Sequence, residues 1–399
     1  MTKKFIITAG TLTGNRGSEA MVTTCIQQIK NFFPDSEIYI ATYYPKDDLK
    51  EIKKPFFKKF KNLFIYSITP CSLVFQCVPL ALISKILPFL KNNSAKQCGT
   101  ILDLLKADLV LDVAGVSFID GRKKFLPFNI LSILPYIIHN IKIIKLPQAM
   151  GPFHNFINRI AAKIILSKCT RVYARGQRTM QHVQKLNIKK KLYLSPDITF
   201  SLKHNNVKEY KKRKKKYIAF VPSSLLMSIY TNYIEHLAKS IYQLQNKNFE
   251  IKLIVHSWRD NSKPRNNDLI AAEEINKHLE NKIEIIGYGK NSTQIREEIS
   301  SCKLIVVSRF HAMIAALYTF TPMLVIGWSH KYKEIMDDFE LKSEYYLDYS
   351  DIDYLTITKK INSIYLNGNQ ISNKIKKKLP IIKKKTEEMF SSIFNDIKN

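Results

Sequence analysis

The feature that most constrains this chain is an alternation of short β-rich runs with helical runs, which occurs twice along the sequence. Such alternation is typical of parallel sheets whose strands are joined by crossover helices. In the first series, strands are predicted at residues 5–8, 37–41, 108–112, 142–146 and 171–174. In the second series, strands are predicted at residues 217–221, 250–255, 282–286, 303–307 and 323–326. We therefore expect two α/β domains with parallel sheets, at residues 1–202 and 217–373.

Two further segments flank the second domain. Residues 203–216 are polar and rich in Lys, which is typical of a solvated linker, with a nucleic-acid-binding signal as the alternative interpretation. Residues 374–399 are also rich in Lys, but they include the apolar residues Ile381, Met389, Phe390 and Ile393. This pattern predicts an amphipathic C-terminal helix.

The charge of the chain is strongly unbalanced. Its 399 residues include 63 Lys and Arg against 33 Asp and Glu, which gives a formal net charge of +30. A field of this sign attracts acidic substrates, anionic lipid and polyanions. The chain is rich in Lys, Asn and Ile together, so a general compositional bias is the alternative source of part of this charge. We expect no nucleic-acid partner.

Cysteine usage and the N-terminus indicate the compartment. The six Cys residues form no C-x-x-C pair, and no His cluster completes a zinc site, so we expect reduced thiols and no metal. The apolar run that follows Lys4 is too short for a signal peptide. These observations predict a cytoplasmic protein.

Residues 63–90 carry a single ionic side chain, Lys85, and are numerous enough to cross a bilayer. Pro70, Pro79 and Pro88 interrupt the segment, which argues against one continuous spanning helix. We expect a broken helical hairpin that is buried or lies at a membrane interface, with a spanning helix as the alternative. Together with the basic charge, this predicts a peripheral location at the inner face of the membrane.

Candidate site residues occur at the strand ends of the second domain. Ser308, Arg309 and His311 follow the strand at 303–307 and begin a helix. Ligands of parallel sheets bind beyond the carboxyl ends of the strands, and a helix N-terminus favours an anion. Arg309 offers a planar fork that matches carboxylate or phosphate, and His311 is a candidate proton donor. The alternative interpretation is a helix-capping turn with a surface Arg.

Cationic and hydroxyl side chains also follow two other strands. Ser329, His330 and Lys331 come after the strand at 323–326 and begin the next helix, so they would extend the same anion site. Arg175 ends the first-domain strand at 171–174, and a surface Arg that caps a helix is the alternative there.

The loop at 10–20 of the first domain joins a strand to a helix. Gly14 and Gly17 would allow close approach of the backbone to a ligand. The loop matches neither G-x-G-x-x-G nor the G-x-x-x-x-G-K-[ST] phosphate loop, so glycine content alone gives it no function.

Five segments together resemble the polysaccharide pyruvyl transferase family, and they are collinear with that family from about residue 5 to residue 340. Ser18 stands where the family usually has Asp. The segments are Gly14-Asn15-Arg16-Gly17-Ser18-Glu19-Ala20, Ala114-Gly115-Val116-Ser117-Phe118, Gln148-Ala149-Met150-Gly151-Pro152-Phe153, Ser308-Arg309-Phe310-His311 and Ser329-His330-Lys331-Tyr332.

The resemblance implies two Rossmann-like domains that face each other across a cleft, as in the glycosyltransferase-B fold. It implies transfer of the pyruvyl unit of phosphoenolpyruvate onto a free or lipid-linked sugar of a cell-surface polysaccharide, as a ketal and without a cofactor. Arg309 and His311 would be catalytic. The expected donor-site residues are Arg175, Ser308, Arg309, Ser329, His330 and Lys331. The expected acceptor-side residues are Gly14, Asn15, Arg16, Gly17, Glu19, Gly115 and Gln148.

Two other functions stay open from the sequence. One is a nucleotide-sugar glycosyltransferase of the same architecture, although the second domain has no pair of glutamates seven residues apart and no recognisable base-binding loop. The other is a non-catalytic basic protein of the membrane surface, which the Arg-x-His at a strand end argues against.

Overall fold

The computed structural model describes residues 2–88, 104–203, 210, 215–259 and 266–398, which divide into two units. The first unit comprises Met1–Thr13, Met21–Leu202 and Lys385–Asn399, and the second comprises Gly14–Ala20 and Lys203–Lys384. A division at the predicted linker would place the loop Gly14–Ala20 in the first unit and the end of the chain beyond the second. In the structure the loop belongs to the second unit and Lys385–Asn399 belongs to the first. Most of that linker, 203–216, lies outside the described residues.

The first unit is built on a parallel sheet. Its strands are β1 (Lys4–Thr8), β2 (Glu37–Thr42), β3 (Leu63–Ser67), β4 (Leu109–Asp112), β5 (Val116–Ser117), β6 (Ile143–Met150), β7 (Arg171–Ala174) and β8 (Leu192–Leu194). In the described residues this sheet has eight strands, in the order β3-β2-β1-β4-β6-β7-β8, with β5 paired to β6. The parallel α/β fold predicted for this half is confirmed, whereas β3, β5 and β8 were not predicted.

Helices separate most of these strands, as parallel connections require. They are α1 (Arg16–Phe32), α2 (Pro45–Ile52), α3 (Pro55–Lys58), α4 (Pro70–Ser72), α5 (Val78–Ile86), α6 (Leu126–Leu131), α7 (Leu134–Ile138), α8 (Phe156–Lys168) and α9 (Gln177–Gln184).

The second unit repeats the plan with a smaller sheet. Its strands are β9 (Tyr217–Val221), β10 (Ile251–Ile254), β11 (Glu284–Ile286), β12 (Cys302–Val307), β13 (Met323–Gly327) and β14 (Tyr346–Asp348). The described residues form six parallel strands in the order β11-β10-β9-β12-β13-β14. The strands predicted for this half are confirmed with small shifts of their ends, and β14 was not predicted.

The helices of the second half of the chain follow its strands in sequence. They are α10 (Ser224–Ile229), α11 (Tyr233–Gln245), α12 (Asp268–Lys277), α13 (Ser292–Ser300), α14 (Phe310–Tyr318), α15 (His330–Asp338), α16 (Tyr354–Leu366) and α17 (Gly368–Lys398). The long C-terminal helix α17 begins before residue 374, where the sequence pattern suggested its start.

The first sheet is buried on both faces, which explains its almost continuous apolar strands. Alternate side chains of a strand point to opposite faces. Accordingly, Phe5 and Ile7 belong to one core cluster with residues of α1 and the end of α17, and Ile6 belongs to another with residues of α5, α7, α8 and α9. The sheet therefore has two helical layers, one on each face.

Residues 63–90 do not form the predicted helical hairpin. Leu63–Ser67 is the edge strand β3, parallel to β2, and a single broken helix follows from Pro70 to Ile86 with a π-helical turn at Leu73–Cys77. Pro70 and Pro79 lie in the first turns of α4 and α5, where Pro is tolerated. Residues 89–90 lie outside the described residues. Within the described ranges, no helix combines the length and apolar character needed to cross a membrane.

The C-terminal end of α17 completes the core of the first unit. Phe394 is fully buried and its ring packs against Phe5, Phe32 and Phe33, with centroids 5.2 to 6.0 Å away. We expect Phe394→Ala to lower the free energy of unfolding by about 3–5 kcal/mol, because it leaves a cavity in a packed core. Urea titration followed by circular dichroism measures this loss.

Ile381→Ala is the matched control on the same helix, because Ile381 is exposed. It should change stability by about 0.5 kcal/mol or less. Equal effects of the two substitutions would show that the end of α17 does not belong to this core.

Candidate functional site

Two strand ends of the second unit lie at the point where its strand order reverses. The chain runs outward from β9 through β10 to β11 on one side, and from β12 through β13 to β14 on the other. Ligands of open parallel sheets bind beyond the carboxyl ends of strands at such a switch point. Ser223 follows β9, and Ser308 and Arg309 follow β12, directly at this position.

The helices that follow strands of the second unit fall into two groups according to their N-cap residues. The helices α10, α12 and α13 are capped by Ser223, Asn267 and Asn291, whose side chains accept hydrogen bonds from first-turn N–H groups. Helices α14 and α15 have Arg309 and Ser329 at the N-cap, and neither side chain caps its helix. The two loops that the sequence singled out are therefore the ones whose N-cap side chains do not cap their helices, and the positive end of a helix dipole favours an anion.

Arg309 is held by the buried carboxylate of Asp268. The Arg309 Nε lies 2.9 and 3.0 Å from the two Asp268 oxygens, and Nη2 also donates to this carboxylate. Burial alone would lower the pKa of Arg309, but the ion pair with Asp268 raises it above its usual value. The surface Arg considered from the sequence is therefore wrong, because this guanidinium is a largely buried cation with a fixed orientation.

The loop Gly14–Ala20 packs on the strand ends of the second unit. Asn15 forms an antiparallel β-bridge with Ser257. The Trp258 N–H donates to the Gly14 carbonyl over 2.7 Å, and the Arg16 N–H donates to the carbonyl of His256 over 3.3 Å. Backbone pairing therefore fixes this loop beside the end of β10.

Both glycines of this loop are required by their neighbours. A Cβ on Gly17 would lie 2.0 Å from Nδ1 of His311, so the backbone lies directly against the imidazole. Gly14 has a φ of +79°, and a Cβ there would lie 2.7 Å from Nε of Arg259. Only glycine lets the loop reach these side chains.

Cationic groups of the loop Gly14–Ala20 and of the segment that follows β12 surround His256. This imidazole is buried, and its pKa is lowered well below the usual value, first by burial and then by the charges of His311, Arg309 and Arg16. The His256 ring is therefore neutral near pH 7. Three residues predicted from the sequence, Arg16, Arg309 and His311, thus form one electropositive cluster around His256 in the second unit.

Glu19 balances part of this charge. Its carboxylate accepts from Arg16 Nη1 over 2.7 Å, and from the Ser292 N–H and hydroxyl over 2.9 and 3.0 Å. Burial raises the pKa of Glu19, while the charge of Arg16 and the bonds from Ser292 oppose the rise. Glu19 therefore ties the loop to the start of α13.

The other predicted donor residues lie around the starts of α14 and α15. The Ser308 hydroxyl is buried and accepts from Tyr233 over 2.8 Å. The Ser329 hydroxyl oxygen is buried and has no hydrogen-bond partner among the described residues. His330 lies 3.8 Å from Glu334, and Lys331 lies over the Trp328 ring at 4.5 Å.

The candidate residues of the first unit are committed to internal contacts. Arg175 is buried, with Nη1 2.7 Å from Asp197 and Nη2 2.9 Å from the Gly115 carbonyl, so the alternative of a surface Arg is wrong. Gln148 is fully buried, donates to the Leu146 carbonyl over 3.2 Å and accepts from a serine hydroxyl. Their assignments to the donor and acceptor stay predictions.

Sequence reasoning missed the residues that support the site. Asp268 is the first residue of α12, where an acidic side chain ordinarily interacts with the helix dipole, and nothing in the pattern points to Arg309. Tyr233 and Tyr332 are also buried there, and the Tyr332 hydroxyl donates to the Ser308 carbonyl over 3.2 Å. In the described residues no group of His, Cys, Asp and Glu could hold a metal ion.

A family model described as polysaccharide pyruvyl transferase matches residues 15–330, from the glycine loop to the start of α15. The chain belongs to the polysaccharide pyruvyl transferase family. This match confirms the resemblance seen in the sequence, and it makes the protein a transferase of polysaccharide biosynthesis. No curated protein sequence matches this chain.

Solved structures that are similar to this chain share its two-domain α/β fold. Anabaena Alr3699/HepE, crystallised with UDP and glucose, has a TM-score of 0.60 at 10% identity over 100% of both chains. Staphylococcus aureus MnaA with UDP has a TM-score of 0.55 at 12% identity, over 95% of this chain and 91% of its own. Medicago truncatula UGT71G1 with UDP-glucose has a TM-score of 0.54 at 10% identity, over 100% and 99%. The glycosyltransferase-B-like fold is confirmed.

The contact between Gly17 and His311 gives a direct test of the site. We expect Gly17→Ala to lower the free energy of unfolding by about 1–3 kcal/mol, because the new methyl group displaces the imidazole. The double variant Gly17→Ala with His311→Ala should recover most of this loss, since the ring is gone. Urea unfolding of the four proteins of this cycle measures the coupling.

Gly121→Ala serves as the control, because a Cβ at that position meets no atom within 4 Å. If the double variant is as unstable as the sum of the two single variants, the loop does not rest on His311.

Proposed function

We propose that this protein transfers the pyruvyl unit of phosphoenolpyruvate onto a sugar of an exopolysaccharide or capsule precursor, forming a pyruvate ketal. The observation that carries the proposal is the pair of uncapped helix starts at neighbouring strand ends, beside Arg309 and His311, in a member of this family. Phosphoenolpyruvate bears a phosphate and a carboxylate on one small carbon frame. Two adjacent anion-binding helix ends match two adjacent anionic groups.

The proposed reaction requires acid catalysis and charge neutralisation from the protein. Protonation of the donor's methylene carbon gives a cation at the neighbouring carbon, and a sugar hydroxyl adds there with loss of its proton. The C–O bond to phosphate then breaks, so that inorganic phosphate leaves with its bonding electron pair and the cation forms again at that carbon. A second hydroxyl of the sugar adds to this carbon and loses its proton, which closes the ketal. No cofactor is needed in this sequence of steps.

Arg309 is the residue that we assign to the donor anion. Asp268 engages Nε and Nη2, and Nη1 makes no hydrogen bond with a described residue. The planar group is thereby held with one amino group left for phosphate or carboxylate. Ser329, with its unpartnered buried hydroxyl, would donate to the same anion from the start of α15. Ser308, His330, Lys331 and Arg175 complete the proposed donor set.

His311 is the proposed general acid. Its ring lies against the backbone of Gly17, and its charge, with those of Arg309 and Arg16, lowers the pKa of the buried His256. In the proposed role it would donate a proton to the methylene carbon of the bound donor.

We assign the acceptor to the glycine loop. Gly14, Asn15, Arg16, Gly17 and Glu19 form the proposed acceptor side, with Gly115 and Gln148 as the remaining predicted acceptor residues. Asn15 is exposed, whereas Glu19 is buried and would act by holding the loop. The acceptor class includes free and lipid-linked sugars, and we place the reaction in the cytoplasm at the inner face of the membrane.

A nucleotide-sugar glycosyltransferase is the competing function, because several proteins of similar fold were crystallised with UDP or UDP-glucose. At 10–12% identity these similarities concern the fold alone. Incubation with phosphoenolpyruvate and candidate glycans separates the two functions. Release of inorganic phosphate that requires both partners supports pyruvyl transfer, whereas release of UDP from a UDP-sugar would replace it.

In that assay we expect Arg309→Lys to lose most of the turnover although the positive charge is kept. A Lys ammonium is a point charge that cannot satisfy Asp268 bidentately and also bind the donor. Arg178→Lys is the matched control, since Arg178 is exposed on α9. Wild-type turnover of Arg309→Lys would remove Arg309 from the donor site.

His311→Ala distinguishes a general acid from a phosphate ligand. We expect kcat to fall by roughly 10²–10⁴-fold, as for loss of an acid catalyst, with a smaller change in the KM for phosphoenolpyruvate. Steady-state phosphate release gives both constants. An unchanged kcat with a raised KM would reassign His311 to donor binding.

A further inference from the structure

The outer sides of two helical segments in the first unit expose large apolar side chains. Phe75 and Ile86 in the broken helix from Pro70 to Ile86 are each 77% exposed, and Phe156 and Ile157 at the start of α8 are 63% and 68% exposed. Large apolar side chains that are exposed together on one surface of a soluble protein mark an interaction site.

These two segments cover the same face of the first sheet. Residues of the broken helix and of α8 both pack into the core cluster that contains Ile6, Val110 and Val172. Helices α6 and α7 lie between them, since α7 packs against α5 and α6 packs against α8. We call the surface that these four elements turn away from the sheet the outer helical layer.

The outer helical layer is also strongly basic. The sequence has no Asp or Glu between Asp120 and Asp197, a stretch that includes α6, α7, α8 and α9. Asp120 itself accepts from the N–H groups of His154 and Asn155 and from the side chain of Asn158. Exposed cations occur on or beside the same elements, at Lys85, Lys123, Lys124, Arg159, Lys163 and Lys168.

An apolar groove opens on this layer between α6 and the start of α8. Its volume is about 460 Å³, and it is lined by Leu126, Pro127, Ile130, Leu131 and Ile157, with Lys123 and Asn155 at the polar positions. The lining continues into the exposed apolar surface through Ile157. A groove of this composition fits a hydrocarbon chain, and Lys123 suits the phosphate attached to one.

We propose that the outer helical layer docks on an anionic lipid bilayer, with Phe75, Ile86, Phe156 and Ile157 inserted below the headgroups and the surrounding Lys and Arg side chains bound to lipid phosphate. Interfacial binding of this kind combines buried apolar area with electrostatic attraction to anionic lipid. The proposal concerns a surface of the first unit and does not depend on the identity of the donor.

Charge and side-chain chemistry together select this occupant. A second copy of the chain would bring the same unbalanced positive charge against itself, which opposes association. A nucleic acid would match the charge and could stack on the two Phe rings, but it would leave Ile86, Ile157 and the apolar groove exposed to water. An anionic bilayer satisfies both the apolar and the cationic side chains.

Flotation with vesicles tests the proposal on the full chain. Wild type should bind vesicles of phosphatidylglycerol mixed with phosphatidylcholine, and it should bind phosphatidylcholine vesicles weakly. The quadruple variant Phe75→Ser, Ile86→Ser, Phe156→Ser and Ile157→Ser should reduce the partition coefficient on the order of tenfold or more, because each side chain contributes apolar transfer energy. The triple variant Lys123→Gln, Lys124→Gln and Lys163→Gln should reduce binding to the anionic vesicles alone.

The matched control is Leu366→Ser, which removes a side chain that is 83% exposed in the second unit. It should bind vesicles as wild type does, and circular dichroism should show that all variants are folded. Equal binding by wild type and the quadruple variant, or equal weakening by Leu366→Ser, would overturn the proposal. Loss of binding in the Lys variant alone would also overturn it, because attraction without insertion fits any polyanion.

Discussion

Asp268 has no exposed surface, and its carboxylate accepts hydrogen bonds from the loops that follow three neighbouring strands of the second unit. The N–H groups of Ser224 and Ser257 donate over 3.1 and 2.9 Å, and the guanidinium of Arg309 is its ion partner. Removal of one partner from a buried pair leaves an uncompensated charge that costs about 3–5 kcal/mol, so these loops are held together as one unit. Arg309 is also the N-cap of α14, and its position therefore determines where His311 lies.

The first unit also contains buried ion pairs on its sheet. Lys145 lies 2.6 Å from Asp112 at the interior of the sheet, and Arg175 lies 2.7 Å from Asp197. Gln148, which lies in one of the family segments, has no exposed surface and joins the same buried network, because its amide donates to Asp112 over 3.5 Å.

Much of the fold follows from the sequence because its central strands are buried on both faces and read as continuous apolar runs. The strands that were not predicted lack this signal. Strand β3 is an edge strand whose residues are only partly buried, and it is hidden within a longer apolar stretch. Strand β8 has only three residues and exposes two of them. Short or half-exposed edge strands are defined by their pairing partner, and pairing is not encoded locally.

For the site, the sequence determined the residue types, their order and the elements that carry them, because strand-end loops follow from the alternation of strands and helices. Arg309, His311 and Ser329 were recognisable on this basis. Only the tertiary structure decided the partners: that Asp268 binds Arg309 from 41 residues away, that the loop Gly14–Ala20 packs on His311, and that Arg175 and Gln148 are buried. These facts depend on contacts between segments that are distant in the chain, and such contacts are set by how the sheets and helices pack, which no local pattern of residues records.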